Sequence, residues 1–138
     1  MSASKRVTLG EGPYICTLPY TPPSQNEYTN WHWAKKKRWH DQFQADLWAV
    51  MNQKGNVISR GHEGAEISSV LTFVVIRGRD SDNYSMPMNK AIQDVLVQGG
   101  VIPNDTADRC TSRVPGIVVG PEEGTLIVLE LRGGNKCP

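Results

Sequence analysis

The ten residues ISSVLTFVVI, at positions 67–76, form a dense apolar run. Its β-branched and aromatic residues favour a strand, and the run is shorter than a typical helix. Because the second half of the run is apolar on both faces, we expect the strand to lie in the interior of a sheet. The polar string Arg79-Asp80-Ser81-Asp82-Asn83 follows almost at once. The predicted strand is therefore followed directly by the first candidate residues for a functional site.

Patterns on either side of this run predict the other elements. The predicted strands cover 13–18, 67–76, 111–119 and 125–131, and the predicted helices cover about 33–53 and 87–98. Proline decides three details, because it fixes φ and removes a hydrogen-bond donor. We expect residues 19–26 to be a rigid, non-helical connection, Pro87 to occupy the first helical position, and Pro115 to break its strand or confine it to an edge. The order β-α-β-α-β-β indicates an α+β domain in which two main helices pack on a mixed sheet.

The length of 138 residues is typical of one domain. We assign this domain to residues 13–131, between a flexible N-terminal arm at 1–12 and a tail at 132–138. No apolar stretch reaches the roughly 20 residues of a membrane helix, and the first residues lack the apolar core of a signal peptide. We therefore expect a cytoplasmic protein without a membrane partner.

The cysteines are odd in number and far apart, at Cys16, Cys110 and Cys137. They form neither a CxxC pair nor a zinc-ligand pattern, so we interpret them as reduced thiols. The three histidines also lack suitably spaced partners, and structural or surface roles are expected for them.

The net charge of +1 conceals an asymmetry between the two halves of the chain. Residues 1–62 contain eight Lys or Arg against four Asp or Glu, whereas residues 63–138 contain seven against ten. Four of the basic residues, Lys35 to Arg38, fall in the first turns of the first predicted helix, where cations oppose the helix dipole unless an external anion compensates. A basic surface beside an acidic cluster suits a metal-dependent nuclease, although ordinary surface charge also explains it.

Three carboxylates are the candidates for a metal site. Asp80 and Asp82 point the same way if the strand continues through them, and Asp105 returns beside them after the second helix. Carboxylate oxygens are the ligands that Mg²⁺ prefers, and clustered carboxylates need a cation nearby. Taken alone, the same string also fits a polar turn, because Asp and Asn hydrogen-bond to their own backbone.

The order of several short motifs adds a second observation. The motifs are Pro22-Pro23-Ser24-Gln25-Asn26-Glu27-Tyr28, then the basic segment with its aromatic residues, Asp80-Ser81-Asp82-Asn83, Lys90-Ala91-Ile92-Gln93-Asp94-Val95-Leu96, Gly100-Val101-Ile102 and Asn104-Asp105. Over about residues 13–131, this order resembles the RusA family of Holliday junction resolvases, of the type found in phages and prophages.

The resemblance implies a homodimer that resolves four-way DNA junctions by paired symmetric incisions with Mg²⁺ or Mn²⁺, in DNA recombination and repair within the bacterial host cell. A twofold dimer presents two identical sites to a nearly twofold substrate. By motif, Asp80, Asp82 and Asp105 match the metal-binding catalytic carboxylates, and Lys90 matches a catalytic lysine. The residues that match the DNA-binding portion are Asn26, Lys35, Lys36, Lys37 and Arg38, with the Pro-rich segment before Asn26.

Two departures from the family pattern keep other functions open. Six residues, Tyr84 to Asn89, separate Asn83 from Lys90, which is a longer spacing than usual and includes Pro87. Asn104 stands where an acidic residue is common. The alternatives are a non-catalytic relative that only binds junctions, and a metal nuclease that acts on other DNA structures.

The four tryptophans divide into two pairs. Trp39 and Trp48 fall at helical spacing with apolar residues, which favours the core. Trp31 and Trp33 lie beside the Pro-rich segment and the basic run, so base stacking is an alternative to packing for them.

Overall fold

The computed structural model describes residues 13–75 and 81–133. The predicted N-terminal arm, Asp80 and Cys137 lie outside these residues, and of Asp82 only the backbone is described. Arg132, which was assigned to the tail, belongs to the last strand.

Five strands and three α-helices make up the described part of the chain. They are β1 (Tyr14–Leu18), α1 (Gln25–Asn30), α2 (Trp33–Met51), β2 (Gly64–Phe73), α3 (Ser85–Gln98), β3 (Cys110–Ser112), β4 (Gly116–Val119) and β5 (Gly124–Arg132), with a 3-10 helix at Ser81–Tyr84 before α3. The predicted α+β class with a mixed sheet is confirmed. None of these helices combines the length and the apolar character needed to cross a membrane.

The strands form one mixed sheet in which β5 lies between β1 and β2. β5 is antiparallel to both neighbours, and Leu129 is opposite Tyr14 on one side and Ile67 on the other. The far edge of β2 carries β3 and β4 one after the other, both parallel to it. β2 is therefore paired on both sides, which confirms the interior position expected from its sequence.

Alternation along the strands separates a covered face of the sheet from a more open one. On β2 the buried positions are every second residue, and Ile67, Leu71 and Phe73 are 2 % exposed or less. These side chains belong to the same core cluster as Phe43 of α2 and Ile92 of α3. The two long helices thus cover one face of the sheet, with α2 also packed against α3.

Helix α1 is a third helix that the sequence analysis did not predict, since it begins at Gln25 inside the connection expected to be non-helical. Ser24 caps it by accepting a hydrogen bond from the backbone N–H of Glu27 (3.1 Å), and Glu27 Oε1 accepts one from the N–H of Ser24 (3.1 Å). This reciprocal capping box satisfies two backbone donors that a helix start leaves open. Pro22 and Pro23 therefore lie in a non-helical connection that ends at the N-cap residue, Ser24.

Several other boundaries differ from the prediction. β2 begins three residues earlier and ends at Phe73, and α2 ends at Met51. α3 begins at Ser85, so Pro87 is its third residue, a position in the first turn where the missing N–H costs no helical bond. The predicted strand at 111–119 is two strands separated at Pro115, as that proline implied.

Two of the three cysteines lie within the described residues. Cys16 and Cys110 are buried and free. Burial raises the pKa of Cys16 to about 11, which keeps this thiol protonated at neutral pH.

Gly99 marks a tight contact between the end of α3 and the side of α2. A Cβ at this position would lie 2.4 Å from the Trp48 ring, which is held on another side by the Arg60 guanidinium, 5.0 Å from its centroid. We expect Gly99→Ala to lower the free energy of unfolding by about 1–3 kcal/mol, because a crowded core must shift to admit the methyl group. Urea denaturation measures this.

Gly116→Ala is the matched control, because its new Cβ would meet nothing closer than 3.9 Å. We expect the control to change stability by less than about 0.5 kcal/mol. A Gly99→Ala protein as stable as wild type would contradict the crowding.

Candidate functional site

Lys90 and Asp105 come together beside α3. The lysine lies in the second turn of the helix and the aspartate in the loop that leads from α3 to β3. Lys90 Nζ is 3.4 Å from Asp105 Oδ2 and 3.2 Å from Asp94 Oδ1, one turn further along the helix. Two of the four predicted catalytic residues are therefore in contact, although fifteen positions separate them in sequence.

The two carboxylates keep Lys90 charged. Its pKa is raised above the usual range, first by the hydrogen bond and charge of Asp94 and then by those of Asp105. Since a raised pKa favours the protonated ammonium, Lys90 is a cation throughout the neutral range. It is suited to stabilise negative charge and not to accept a proton.

Asp94 also contacts His40 of α2, a residue that the sequence analysis treated as structural or surface. His40 Nε2 lies 3.3 Å from Asp94 Oδ2, and both side chains are about one quarter exposed. Asp94 thus bridges a histidine on one helix and the lysine on its own helix. The sequence contained one weak signal of the contact between His40 and Asp94. His40 lies three residues before Phe43 and directly after Trp39, so it flanks the buried face of α2.

The loop that carries Asp105 is held by local hydrogen bonds. Asn104 Oδ1 accepts a hydrogen bond from the backbone N–H of Thr106 (3.2 Å), and the hydroxyl oxygen of Thr106 lies 2.7 Å from the same Oδ1. Asn104 therefore stabilises the turn, which is the usual role of an Asn side chain that bonds two residues ahead. The Asp105 side chain is 39 % exposed, so solvent and a substrate can reach it.

The residues from Ser81 to Asn83 do not continue β2 as a strand. β2 ends at Phe73, and residues 81–84 form a 3-10 helix that leads directly into α3. The expectation that the strand continues through Asp82 is wrong, because Ser, Asp and Asn favour compact turns over extended backbone. Asp80 lies outside the described residues. Asn83 lies within the 3-10 helix and is partly buried.

The predicted three-carboxylate site falls partly within the described residues. Within residues 13–75 and 81–133, no three His, Cys, Asp or Glu side chains form a group that could hold a metal ion. The side chains of Asp80 and Asp82 lie outside those described, so the three-carboxylate site stays a prediction. Hard divalent cations prefer carboxylate oxygens as ligands, and the carboxylate of Asp105 is partly exposed, so it is suited to bind such a cation.

The predicted basic segment lies at the exposed start of α2. The first turn of this helix contains no acidic residue, and Lys35, Lys37 and Arg38 are exposed. Lys37 forms an ion pair with Asp41, with 3.0 Å between Nζ and Oδ2. Asn26 is exposed on α1, where its backbone carbonyl accepts a hydrogen bond from Asn30.

Aromatic side chains fix the geometry of this corner. Lys35 Nζ lies 4.4 Å from the centroid of the Trp31 ring, and Lys36 Nζ lies 5.5 Å from that of Tyr28. Each contact is a cation–π interaction that orients the cation without neutralising it. Of the four tryptophans, Trp39 and Trp48 pack against the core as predicted, whereas Trp33 is 70 % exposed.

The sequence matches no protein-family model, and no curated protein sequence is significantly similar to it.

Proposed function

We propose that this chain is an endonuclease that depends on Mg²⁺, or on Mn²⁺, and resolves four-way DNA junctions as a homodimer in the manner of the RusA family. The contact between Lys90 and Asp105 carries the proposal. The resemblance assigns both residues to catalysis, although they belong to separate motifs. Two residues chosen at random from separate motifs would not be expected to be in contact.

The extra residues before Lys90 are compatible with this role. Of the six residues that separate Asn83 from Lys90, Tyr84 ends the 3-10 helix, and residues 85–89 form the first turn and a half of α3. The longer spacing is thus taken up as helix, and Lys90 still reaches Asp105. This supports a cutting enzyme over a relative that only binds.

The proposed reaction is hydrolysis of one phosphodiester bond in each of two strands. Water adds to phosphorus and the bond from phosphorus to the 3′ oxygen breaks, which leaves a 5′-phosphate and a 3′-hydroxyl. Asp80, Asp82 and Asp105 would hold Mg²⁺, which supplies an activated water and neutralises charge on the phosphate. The Lys90 ammonium stabilises the negative charge that develops on the phosphate oxygens, and Asp94 holds it in place.

The basic segment would bind the arms of the junction. Lys35, Lys36 and Arg38 present positive charge from one helix end, and phosphates are the part of DNA that such charges contact. Contacts of this kind are independent of sequence, so the preference for a junction would come from its shape and deformability.

The test is cleavage of a synthetic four-way junction beside a linear duplex of the same sequence. With Mg²⁺ or Mn²⁺ we expect paired nicks at symmetric positions in the junction and at least about 10-fold slower cutting of the duplex. Ca²⁺ is the control, in which we expect binding without cleavage.

The result also separates the two alternatives. Junction binding without cleavage in either Mg²⁺ or Mn²⁺ would identify a non-catalytic binder. Equal cutting of junction and duplex would identify a nuclease for other DNA structures, and neither outcome is compatible with the proposed function.

A further inference from the structure

An aromatic cleft of about 360 Å³ lies between the Pro-rich segment and the end of β2. Its lining includes four aromatic residues, Trp31, Trp39, Phe73 and Tyr84. Tyr84 is the last residue of the 3-10 helix that contains Asp82, so the cleft borders the helix that carries one of the predicted metal ligands. Its volume is within the range of small-molecule sites, which are roughly 300–1,000 Å³.

Trp31 is held firmly as a wall of this cleft. Its ring contacts Tyr28, with 5.8 Å between centroids, and Tyr28 meets the edge of Trp39 at the same separation. Trp39 in turn stacks on the buried Phe43, with 5.0 Å between centroids. A chain of four rings thus connects Trp31 to the core, and a wall fixed in advance loses little entropy when a ligand binds.

The charges around the cleft distinguish between the parts of a nucleotide. Glu27 and Glu123 line it, and their carboxylates repel a phosphate while they can accept hydrogen bonds from the N–H groups of a base. The cations lie outside, where Lys35 rests on Trp31 and Lys36 on Tyr28. A strand bound here would place its phosphates on the lysines and a base in the cleft.

We infer that this cleft binds an unpaired DNA base, stacked on Trp31, while Lys35 and Lys36 hold the adjacent phosphates. The inference rests on the proposed action on DNA and deepens it, because bases unstack where the strands of a junction cross. Aromatic stacking accepts any base, since every base has a π-face. Trp31 would therefore favour open DNA over continuous duplex.

Binding of a 12-nucleotide single strand to the full chain, in Ca²⁺ without cleavage, tests the inference. The comparison strand has the same length and charge but is abasic throughout, so it keeps the phosphates and lacks the π-faces. We expect wild type to bind the intact strand about 5- to 100-fold more tightly than the abasic strand. Trp31→Ala should bring this ratio near one, and Trp31→Phe should keep most of it.

Trp33→Ala is the matched control, because Trp33 is a tryptophan two positions away that is exposed and outside the cleft lining. We expect this variant to keep the wild-type ratio, and thermal melting verifies that each variant is folded. The inference is overturned if wild type binds both strands equally, if it binds neither, or if Trp31→Ala keeps the full ratio. Because the assay contains no cleavage, failure to cut junctions would reject the proposed function and leave this result standing.

Discussion

Asp105→Asn is expected to reduce Mg²⁺-dependent cleavage of a four-way junction by at least about 100-fold. The substitution keeps the size and polarity of the side chain but removes the charge that faces Lys90 at 3.4 Å and that would bind the metal. Junction binding in Ca²⁺ should change little, because it depends mainly on the basic residues at the start of α2. Single-turnover cleavage of a labelled junction measures the effect.

Asp108→Asn is the control for this experiment. Asp108 lies three residues further along the same loop, and its carboxylate accepts a hydrogen bond from Thr106, which lowers its pKa. It does not belong to the group around Lys90, so we expect cleavage within about twofold of wild type. Asp82→Asn should behave like Asp105→Asn, and wild-type cleavage by both of those variants would show that the active site is assigned wrongly.

Phe43→Ala should have the largest effect on stability, lowering the free energy of unfolding by about 3–5 kcal/mol. Phe43 is 1 % exposed and stacks on Trp39. It also makes an edge-to-face contact with Tyr20, with 6.5 Å between the centroids of the Phe43 and Tyr20 rings. Its loss leaves a cavity in the centre of the aromatic chain. Because a domain of this kind has roughly 5–15 kcal/mol in total, the variant should be folded only in part or much less stable in urea.

Two further variants show how much of the loss in the free energy of unfolding comes from the cavity. Phe43→Leu fills most of the space and should lose about half as much stability or less. Gln42→Ala, on the exposed side of the same helix, gives up only a surface hydrogen bond to Asp46 and should cost less than about 1 kcal/mol. If Phe43→Ala and Gln42→Ala denature at the same urea concentration, the packing described for this helix is wrong.

The parts of the fold that depend on local pattern were predictable from the sequence. The stripe of α3, the apolar run of β2 and the break at Pro115 each follow from residues close together in the chain. Helix α1 was missed because two prolines suggested a rigid connection. The signal for it was nonetheless present, since Ser24 and Glu27 have the spacing of a capping box.

The candidate site was predictable only as separate pieces. Lys90 and Asp94 are four positions apart, a spacing that places them one turn apart on a helix, and their side chains are in contact at 3.2 Å. The approach of His40 to Asp94 depends on how α2 packs against α3, and no local pattern encodes that distance. The 3-10 helix at Ser81–Tyr84 was hidden for another reason: the apolar run continues to Ile76, which made an extended backbone the natural expectation.

The place of β5 has a consequence for synthesis on the ribosome. β1 and β2 do not pair with each other. β5, the last of the described strands to be made, pairs with β1 and with the edge of β2 that β3 and β4 leave open. Until residues 124–132 leave the exit tunnel, both earlier strands have an unpaired edge that other chains can pair with. Completion of the sheet is therefore expected to occur late, after β5 has been made.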